Sequence, residues 1–201
     1  MITLYHSPNS RSTGVLALLI ELGALNKVAI KQVDIARADG SGARDAANPH
    51  PEGKVPFLTD GEDTVRERSA IFTYLCEKFP EAKLAPMPGE AKRGQFLSWM
   101  AYYQGVVEPV RVAKYIDIDH PAFHATFRGL EEIGATLATA LEGGPWLLGD
   151  KYSAADLLMA SVFLWRPDFI PEIASVKDWV ARCAEHPSTK KAQELDAAFG
   201  A

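Results

Sequence analysis

The chain has 201 residues, enough for one large domain or two small ones. Hydrophobic residues make up 47% and charged residues 23%, a balance that excludes a disordered chain and indicates a folded protein with a core. The formal net charge is -5 and the sequence has no Lys/Arg block, so neither nucleic acid nor an anionic membrane surface is expected as a partner.

The cysteines and the N-terminus bear on the cellular compartment. Cys76 and Cys183 lie far apart and form no C-x-x-C pair, so a secreted disulfide scaffold is not expected. The first five residues lack the charged start and the long apolar run of a signal peptide. The most apolar window, residues 15–22, is too short to span a bilayer. We therefore expect a cytoplasmic protein that does not enter the membrane.

The first 80 residues alternate between strand and helix patterns. Strands are predicted at 2–5, 28–35 and 55–59, with a return strand starting at 64–65, and helices at 15–22 and 69–79. The first strand, helix and strand form a βαβ unit, which implies a parallel strand pair. We expect Gly23 to end the first helix and Asp60-Gly61 to form a hairpin turn. Residues 37–53 are expected to form a loop with at most one irregular helix.

Beyond residue 80 the pattern becomes helical. Two prolines and a glycine in residues 83–90 are typical of a linker. Helices are predicted at 91–113, with bends at Gly105 and Pro109, and at 121–141, 157–165, 176–184 and 190–199. Ser153 and Asp156 have the spacing of a capping box. The sequence thus predicts an α/β domain over 1–80, a linker over 81–89 and an all-helical bundle over 90–201.

Several chemical signatures do not occur in the sequence. There is no glycine-rich dinucleotide or phosphate loop and no G-x-S-x-G elbow. His120 and His124 are four residues apart, but no third metal ligand matches them, and Pro121 places His120 near or before a helix start. We interpret both as surface histidines and predict no metal site.

The loop from Ser7 to Ser12 joins the first strand to the first helix. A helix N-terminus carries unpaired N–H groups and a partial positive charge, so an anion placed there is stabilised and a thiol loses its proton more readily. A hydroxyl in the loop would hold the thiolate by a charge-assisted hydrogen bond. The alternative is that Ser10 or Ser12 only caps the helix.

Two other stretches have ligand-binding potential. Pro56 opens a strand, where a missing ladder donor leaves the neighbouring backbone free to meet a ligand, although an ordinary edge-strand proline fits equally. Glu67, Arg68 and Ser69 begin a helix, where Arg68 and Ser69 could bind a carboxylate; a solvated helix start is the alternative.

Taken together, these stretches resemble the glutathione transferase superfamily over nearly the whole chain. Residues 4–12 are similar to the first strand and catalytic loop of its bacterial members. Asn48-Pro49 followed by Gly53-Lys54-Val55-Pro56 is similar to the family's N-P-x-G-K-V-P motif, and residues 67–75 are similar to E-S-x-A-I-x-x-Y-L. Ser153 to Asp156 matches the family's S-x-x-D capping box. The resemblance implies a thioredoxin-like N-terminal domain with a helical C-terminal domain.

The resemblance also implies a set of glutathione contacts. They include a cis bond before Pro56, a backbone pair between Val55 and the cysteinyl unit, and binding of the γ-glutamyl end at the second helix start. The implied glutathione-binding residues are Lys54, Val55, Pro56, Glu67, Arg68, Ser69 and His50. Two departures affect this set: extra residues enlarge the loop around His50, and Arg68 stands where the family usually has Ser.

The residue that activates the thiol is expected in the first loop. The register from Gly23 favours Ser10, the Pro8-anchored pattern favours Ser7, and Asn9 is similar to members that use an amide donor. We rank Ser10 first, followed by Asn9, Ser7 and Ser12. Tyr5 lies in the strand, and the loop has no Cys that could form a mixed disulfide.

The resemblance implies glutathione as co-substrate, a small electrophile as second substrate, and a homodimer. The electrophile would meet an aromatic-rich wall, although the same side chains could be bundle core. The candidates are Trp99, Tyr102, Tyr103, Val106, Arg111 and Trp165. The leading hypothesis is glutathione transfer to an apolar electrophile. The alternatives are glutathione-dependent peroxidase, disulfide reductase, isomerase or dehalogenase activity, or a non-catalytic interaction protein on the same fold.

Overall fold

The computed structural model describes residues 1–199, and it begins with the predicted βαβ unit. Strand β1 (Ile2–His6) is followed by helix α1 (Thr13–Glu21) and strand β2 (Ala29–Gln32). The two strands are parallel, with Leu4 opposite Ile30. Just beyond α1, Gly23 has a left-handed backbone with φ 61°, which glycine adopts without steric cost.

A hairpin completes the sheet on the other side of β1. Strands β3 (Phe57–Asp60) and β4 (Asp63–Arg66) are antiparallel, and Gly61 in the turn has φ 63°. Since β3 pairs antiparallel with β1, the sheet order is β2-β1-β3-β4. Helix α2 (Arg68–Lys78) follows the hairpin. This is the predicted thioredoxin-like arrangement, but residues 33–56 contain no helix, so the irregular helix allowed there is absent.

The second half of the chain is helical. Helices α3 (Arg93–Tyr102) and α4 (Glu108–Tyr115) are joined without a break by a π-helical turn, Tyr103–Val107. Next come α5 (Pro121–Phe127), α6 (Leu130–Leu141), α7 (Ala154–Trp165), α8 (Ala174–Ala184) and α9 (Pro187–Phe199). The bend predicted at Gly105 lies in the π turn. The single helix predicted over 121–141 is wrong, because Arg128 and Gly129 have φ values of 65° and 142° and separate α5 from α6.

Contacts within the chain define two compact units. The first joins residues 1–82 to α9, which packs along α1, and the second consists of residues 83–186. The predicted helical domain, 90–201, includes α9, whereas the structure groups this helix with the first unit. The last two residues of that predicted domain, 200 and 201, lie outside the described residues.

Each unit has its own apolar core. In the first, fully buried residues from the sheet and from α1 and α2 include Leu4, Leu16, Leu58, Phe72 and Leu75. In the second, they include Phe96, Leu137, Phe163 and Trp179. The predicted capping box at α7 is confirmed: Asp156 accepts bonds from the Ser153 N–H at 2.9 Å and from its hydroxyl at 2.7 Å.

Residues 1–199 show neither a membrane-spanning helix nor a cluster of metal ligands. In this part of the chain no helix combines the length and the apolar character needed to cross a bilayer. The same residues include no group of three or more His, Cys, Asp or Glu side chains arranged to hold a metal. His120 and His124 are both exposed; Nδ1 of His120 accepts the Ala122 N–H, and Nε2 of His124 lies 2.6 Å from Asp119 Oδ1.

Candidate active site

The loop between β1 and α1 concentrates three serine hydroxyls. Ser10 donates to the carbonyl oxygen of Ser7 at 2.6 Å, and its Oγ lies 2.7 Å from the Oγ of Ser12. Ser7 and Ser12 are buried, Ser10 is half-buried and Asn9 is exposed with φ 53°. Ser10 is therefore the most exposed serine of this loop.

Ser12 is the N-cap residue of α1, but its side chain caps nothing there. Its hydroxyl instead meets Nδ1 of His6 at 2.8 Å and accepts the N–H of Ser7 at 3.2 Å. Ser10 accepts the backbone N–H of Ser12 at 3.2 Å, inside the loop. The hypothesis that the Ser12 side chain only caps α1 is therefore wrong.

Three residues of this loop's environment were missed by the sequence analysis: His6, Arg37 and Asp196. His6 is fully buried at the end of β1, and Nε2 lies 3.3 Å from Oδ1 of Asp196 on α9. Burial lowers the pKa of His6, with Asp196 opposing that shift. The sequence did contain a signal for His6. Ile2, Leu4 and His6 alternate along β1 and so share its buried face, and a buried histidine needs a polar partner.

Arg37 holds the outer side of the loop. Its guanidinium donates to Ser7 Oγ at 3.0 Å and to the carbonyl of Pro8 at 2.9 Å. Arg37 belongs to the segment after β2, whereas Asp196, which accepts the N–H of Asn9, belongs to α9. The loop is therefore bonded to two separate parts of the chain. The backbone that precedes α1 is thus held in one conformation.

The second predicted stretch, residues 48–56, forms a closed loop. The bond between Val55 and Pro56 is cis, as the resemblance implied. The side chain of Asn48 bridges the loop, donating to the Lys54 carbonyl at 3.1 Å and accepting the His50 N–H at 3.1 Å. Lys54 is exposed and pairs with Glu52, while Val55 is half-buried.

His50 is packed into this loop. Its ring is 5% exposed and meets the ring of Phe57 edge-on at 5.2 Å. Nδ1 accepts the N–H of Glu52 at 3.0 Å, so that nitrogen carries no proton. Burial lowers the pKa of His50, with the charge of Glu52 opposing it. The extra loop residues thus serve the packing of His50 in this structure.

The third stretch begins α2. Glu67 is exposed and adopts φ 69°, a strained backbone for this residue type that is frequent at functional sites. Arg68 is only 7% exposed, and its guanidinium lies against Gly14 of α1. Ser69 is half-buried. Glu67 and Ser69 are therefore more accessible to a ligand than Arg68.

The predicted electrophile residues lie in the second unit with different exposures. Trp99 and Tyr102 are half-buried and touch edge to face at 5.9 Å, and Val106 is half-buried. Trp165 is exposed and Arg111 stacks over its ring at 5.0 Å.

Tyr103 has a different environment, because it is fully buried. Its hydroxyl donates to Glu108, whose other oxygen accepts a bond from Arg111 at 3.0 Å. Tyr103 thus belongs to the core of the second unit, where it anchors the π turn.

Comparison with known families agrees with this arrangement. The model of the glutathione S-transferase N-terminal domain matches residues 4–83, and that of the C-terminal domain matches residues 99–187. The chain therefore belongs to the glutathione S-transferase family.

Two relatives illustrate the range of the sequence similarity. Glutathione S-transferase 3 of Schizosaccharomyces pombe is 24% identical, in an alignment that covers 96% of this chain and 87% of the relative. A dichloromethane dehalogenase of Methylorubrum extorquens is 30% identical, in an alignment that covers 72% of this chain and 58% of that protein.

Solved structures show the same fold. BphK, a bacterial glutathione transferase solved as a ternary complex, has a TM-score of 0.77 at 25% identity, covering 97% of this chain and 99% of BphK. A sphingomonad glutathione S-transferase complexed with glutathione has a TM-score of 0.74 at 23% identity, covering 97% of this chain and 98% of its own.

Proposed function

We propose that the protein is a glutathione transferase that ionises the thiol of glutathione beside Ser10 and directs the thiolate at a small apolar electrophile. The observation that carries the proposal is the half-buried Ser10 in the loop before α1, the most exposed serine there, within a chain of this family. Family membership supports a glutathione-dependent activity, and the site geometry supports the assignment of the thiolate donor.

The proposed binding mode uses the three stretches of the first unit. The Val55 backbone, beside the cis Pro56, pairs with the cysteinyl unit of glutathione. Glu67 and Ser69, the accessible residues at the start of α2, bind the γ-glutamyl end. Lys54 supplies a positive charge at the loop edge, and Arg68 and His50 support the site from buried positions.

The energy required for ionisation is modest. A free thiol has a pKa of about 8.5, so only a few per cent is ionised at neutral pH. Lowering it by about two units requires roughly 2.7 kcal/mol of preferential stabilisation of the thiolate. A hydroxyl donor to a charged acceptor contributes about 1.5–3 kcal/mol, and a helix N-terminus adds about 0.3–1 kcal/mol. Ser10 and α1 together therefore suffice.

The electrophile is proposed to meet side chains of the second unit. Trp99, Tyr102, Val106 and Trp165 offer aromatic and apolar surface, and the stacked Arg111 offers positive charge. These features suit an aromatic substrate whose leaving group departs as an anion.

Dehalogenation is a second candidate function. The similarity to a dichloromethane dehalogenase over 72% of this chain favours it. Displacement of a halide from carbon by a thiolate would use the same Ser10 site and differ only in the second substrate. Turnover of a dihalomethane against that of an aryl halide such as chlorodinitrobenzene separates the two.

Calorimetry with glutathione tests the proposal. The matched ligand is the glutathione analogue in which a methyl group replaces the thiol. At neutral pH we expect both tripeptides to bind, but only glutathione to give the ultraviolet absorbance of a bound thiolate. Binding of neither tripeptide at millimolar concentration would leave the non-catalytic interaction protein as the better hypothesis.

The homodimer, the cytoplasmic location and the domain limits at 80 and 90 stay predictions. Sedimentation of the purified protein tests the dimer, and expression of residues 1–82 alone tests whether the first unit folds without α9.

A further inference from the structure

Asp196 is a buried carboxylate that reaches the catalytic loop from the C-terminal helix. It is 4% exposed on α9. Oδ2 accepts the backbone N–H of Asn9 at 2.6 Å, and Oδ1 accepts the hydroxyl of Thr13 at 2.6 Å. Oδ1 also lies 3.3 Å from Nε2 of His6. A residue 187 positions away in sequence is thus in direct contact with the loop.

A series of close polar contacts leads from this carboxylate to Ser10, and its link between Asp196 and His6 Nε2 is an electrostatic contact at 3.3 Å without a hydrogen bond. Nδ1 of His6 lies 2.8 Å from Ser12 Oγ, and Ser12 Oγ lies 2.7 Å from Ser10 Oγ. His6 and Ser12 are buried, and the chain meets the accessible part of the loop only at Ser10. The order carboxylate, imidazole, hydroxyl is that of a catalytic triad, with one hydroxyl added.

We propose that His6 takes up the proton that glutathione loses on ionisation, through Ser12 and Ser10, with Asp196 as the positioning residue that stabilises the resulting imidazolium. This inference rests on the proposed glutathione transferase function. It goes beyond that function because it states where the thiol proton goes and assigns roles to His6 and Asp196, neither of which is among the site residues predicted from the sequence.

The direction of the hydrogen bonds before ionisation follows from the charge of Asp196. A carboxylate beside Nε2 favours the tautomer with the proton on that nitrogen, so Nδ1 is an acceptor. Ser12 then donates to Nδ1. For the relay, the Ser10 hydroxyl turns from the Ser7 carbonyl to Ser12 Oγ, 2.7 Å away, and Ser10 Oγ accepts the thiol proton of glutathione. Burial lowers the pKa of His6, so the ring is neutral before glutathione binds. The negative charge of Asp196, which opposes this shift, and that of the forming thiolate favour its protonation.

Ionisation reverses every bond of the chain. One proton moves from sulfur to Ser10, one from Ser10 to Ser12 and one from Ser12 to Nδ1, so a thiolate and an imidazolium form without a net gain or loss of protons. His6 then donates to Ser12, Ser12 to Ser10, and Ser10 to the thiolate. Nε2 lies 3.3 Å from the carboxylate without a hydrogen bond between them, so the negative charge of Asp196 offsets the cost of charging the buried ring electrostatically.

The test measures whether the thiol proton leaves the protein. Glutathione binding to the wild-type protein is followed by calorimetry at one neutral pH in two buffers with different ionisation enthalpies, together with thiolate absorbance. We expect full thiolate absorbance and the same binding enthalpy in both buffers, because the proton stays on His6. Thiolate absorbance with one proton released per glutathione would overturn this inference while leaving the transferase proposal intact.

Variants give a second test of the roles. His6→Phe fills the ring's space and keeps packing against Phe199, which lies 5.2 Å away, but has no proton acceptor. Asp196→Asn removes the charge and keeps one acceptor oxygen. In both we expect about a tenfold smaller thiolate fraction at neutral pH, which equals one pKa unit. Glu194→Gln, an exposed change on the same helix, should match the wild type.

A purely structural role for His6 and Asp196 predicts a different pattern. His6→Phe would then keep both the wild-type thiolate fraction and the wild-type pH profile of kcat/KM as long as circular dichroism shows a folded protein. That result would contradict the inference. Failure of the wild-type protein to bind glutathione would instead remove the proposed function and this inference together.

Discussion

The guanidinium of Arg68 lies directly against the α-carbon of Gly14. A methyl group at residue 14 would stand 3.1 Å from Nη1 and 3.8 Å from Cδ of Arg68. Arg68 begins α2 and Gly14 is in the first turn of α1, so this contact joins the starts of the two helices. The absence of a side chain at residue 14 leaves room for the guanidinium of the buried Arg68.

This contact predicts different outcomes for two glycine substitutions. Gly14 and Gly94 are each the second residue of a helix, α1 and α3. A methyl group at Gly94 meets nothing within 4 Å, so Gly94→Ala should stabilise the protein by up to about 0.5–1 kcal/mol. Gly14→Ala should gain less or lose stability, because the arginine must shift by a few tenths of an ångström. Urea unfolding measures the difference.

The same pair of variants bears on ligand binding. If Arg68 supports the γ-glutamyl end of glutathione, Gly14→Ala should raise the KM for glutathione several-fold, whereas Gly94→Ala should leave it unchanged. Equal gains in stability and equal KM values in the two variants would show that the contact with Arg68 has no consequence.

The hydroxyl of Ser10 is the proposed donor to the thiolate. Ser10→Ala removes a hydrogen bond to a charged acceptor, worth about 1.5–3 kcal/mol, which corresponds to a rise of about one to two units in the pKa of bound glutathione. Titration of the thiolate absorbance measures this change, and Ser10→Thr, which keeps the hydroxyl, serves as the control. An unchanged titration in Ser10→Ala would transfer the role to Asn9, Ser7 or Ser12.

Much of the fold was predictable because its signals are local. The alternation in β1, the Asp60-Gly61 turn and the capping box at Ser153 each lie within a few residues, and the structure confirms all three. The prediction of one helix over 121–141 failed because Arg128 has a positive φ, which ends α5. Arginine itself does not indicate such a conformation, and the following Gly129 was the only local residue that favours a break in the helix.

The candidate site was predictable only in part, for a physical reason. Ser10 and Pro56 belong to short sequence motifs and could be predicted from them. The partners of His6 and Ser12 are set by tertiary contacts, which the sequence alone does not reveal. Asp196 meets the loop from the last helix, and no local pattern connects it to Asn9. Asp196 lies near the C-terminal end of α9, and a charged side chain there is ordinarily exposed, so the sequence gave no sign of its burial.

Asp156 is the most heavily bonded buried carboxylate described in the second unit. Besides Ser153 it accepts the N–H of Leu147 at 2.8 Å and the indole N–H of Trp179 at 3.0 Å. Asp156→Ala leaves these buried donors unpaired and should cost about 3 kcal/mol or more, while Ser153→Ala should cost about 1 kcal/mol. The exposed Asp178→Ala is the control and should stay within about 0.5 kcal/mol by urea unfolding.

The buried histidines predict how stability depends on pH. Burial lowers the pKa of His6 and of His50, so below about pH 6.5 the unfolded chain binds protons that the folded protein does not. Their contribution to stability is complete above that pH and is lost as the pH falls. We expect the free energy of unfolding to decrease from pH 7 to pH 5, with a smaller slope in His50→Gln.

His124 provides a control of opposite sign for this experiment. The hydrogen bond to Asp119 raises the pKa of this exposed histidine, so its contribution is present below about pH 6.5 and is lost as the pH rises through the higher, folded-state value. His124→Gln should therefore make the acid-side loss slightly steeper, where His50→Gln makes it shallower. Urea unfolding of the three proteins at several pH values measures the slopes. Identical slopes in wild type and His50→Gln would show that the His50 ring titrates alike in the folded and unfolded chain.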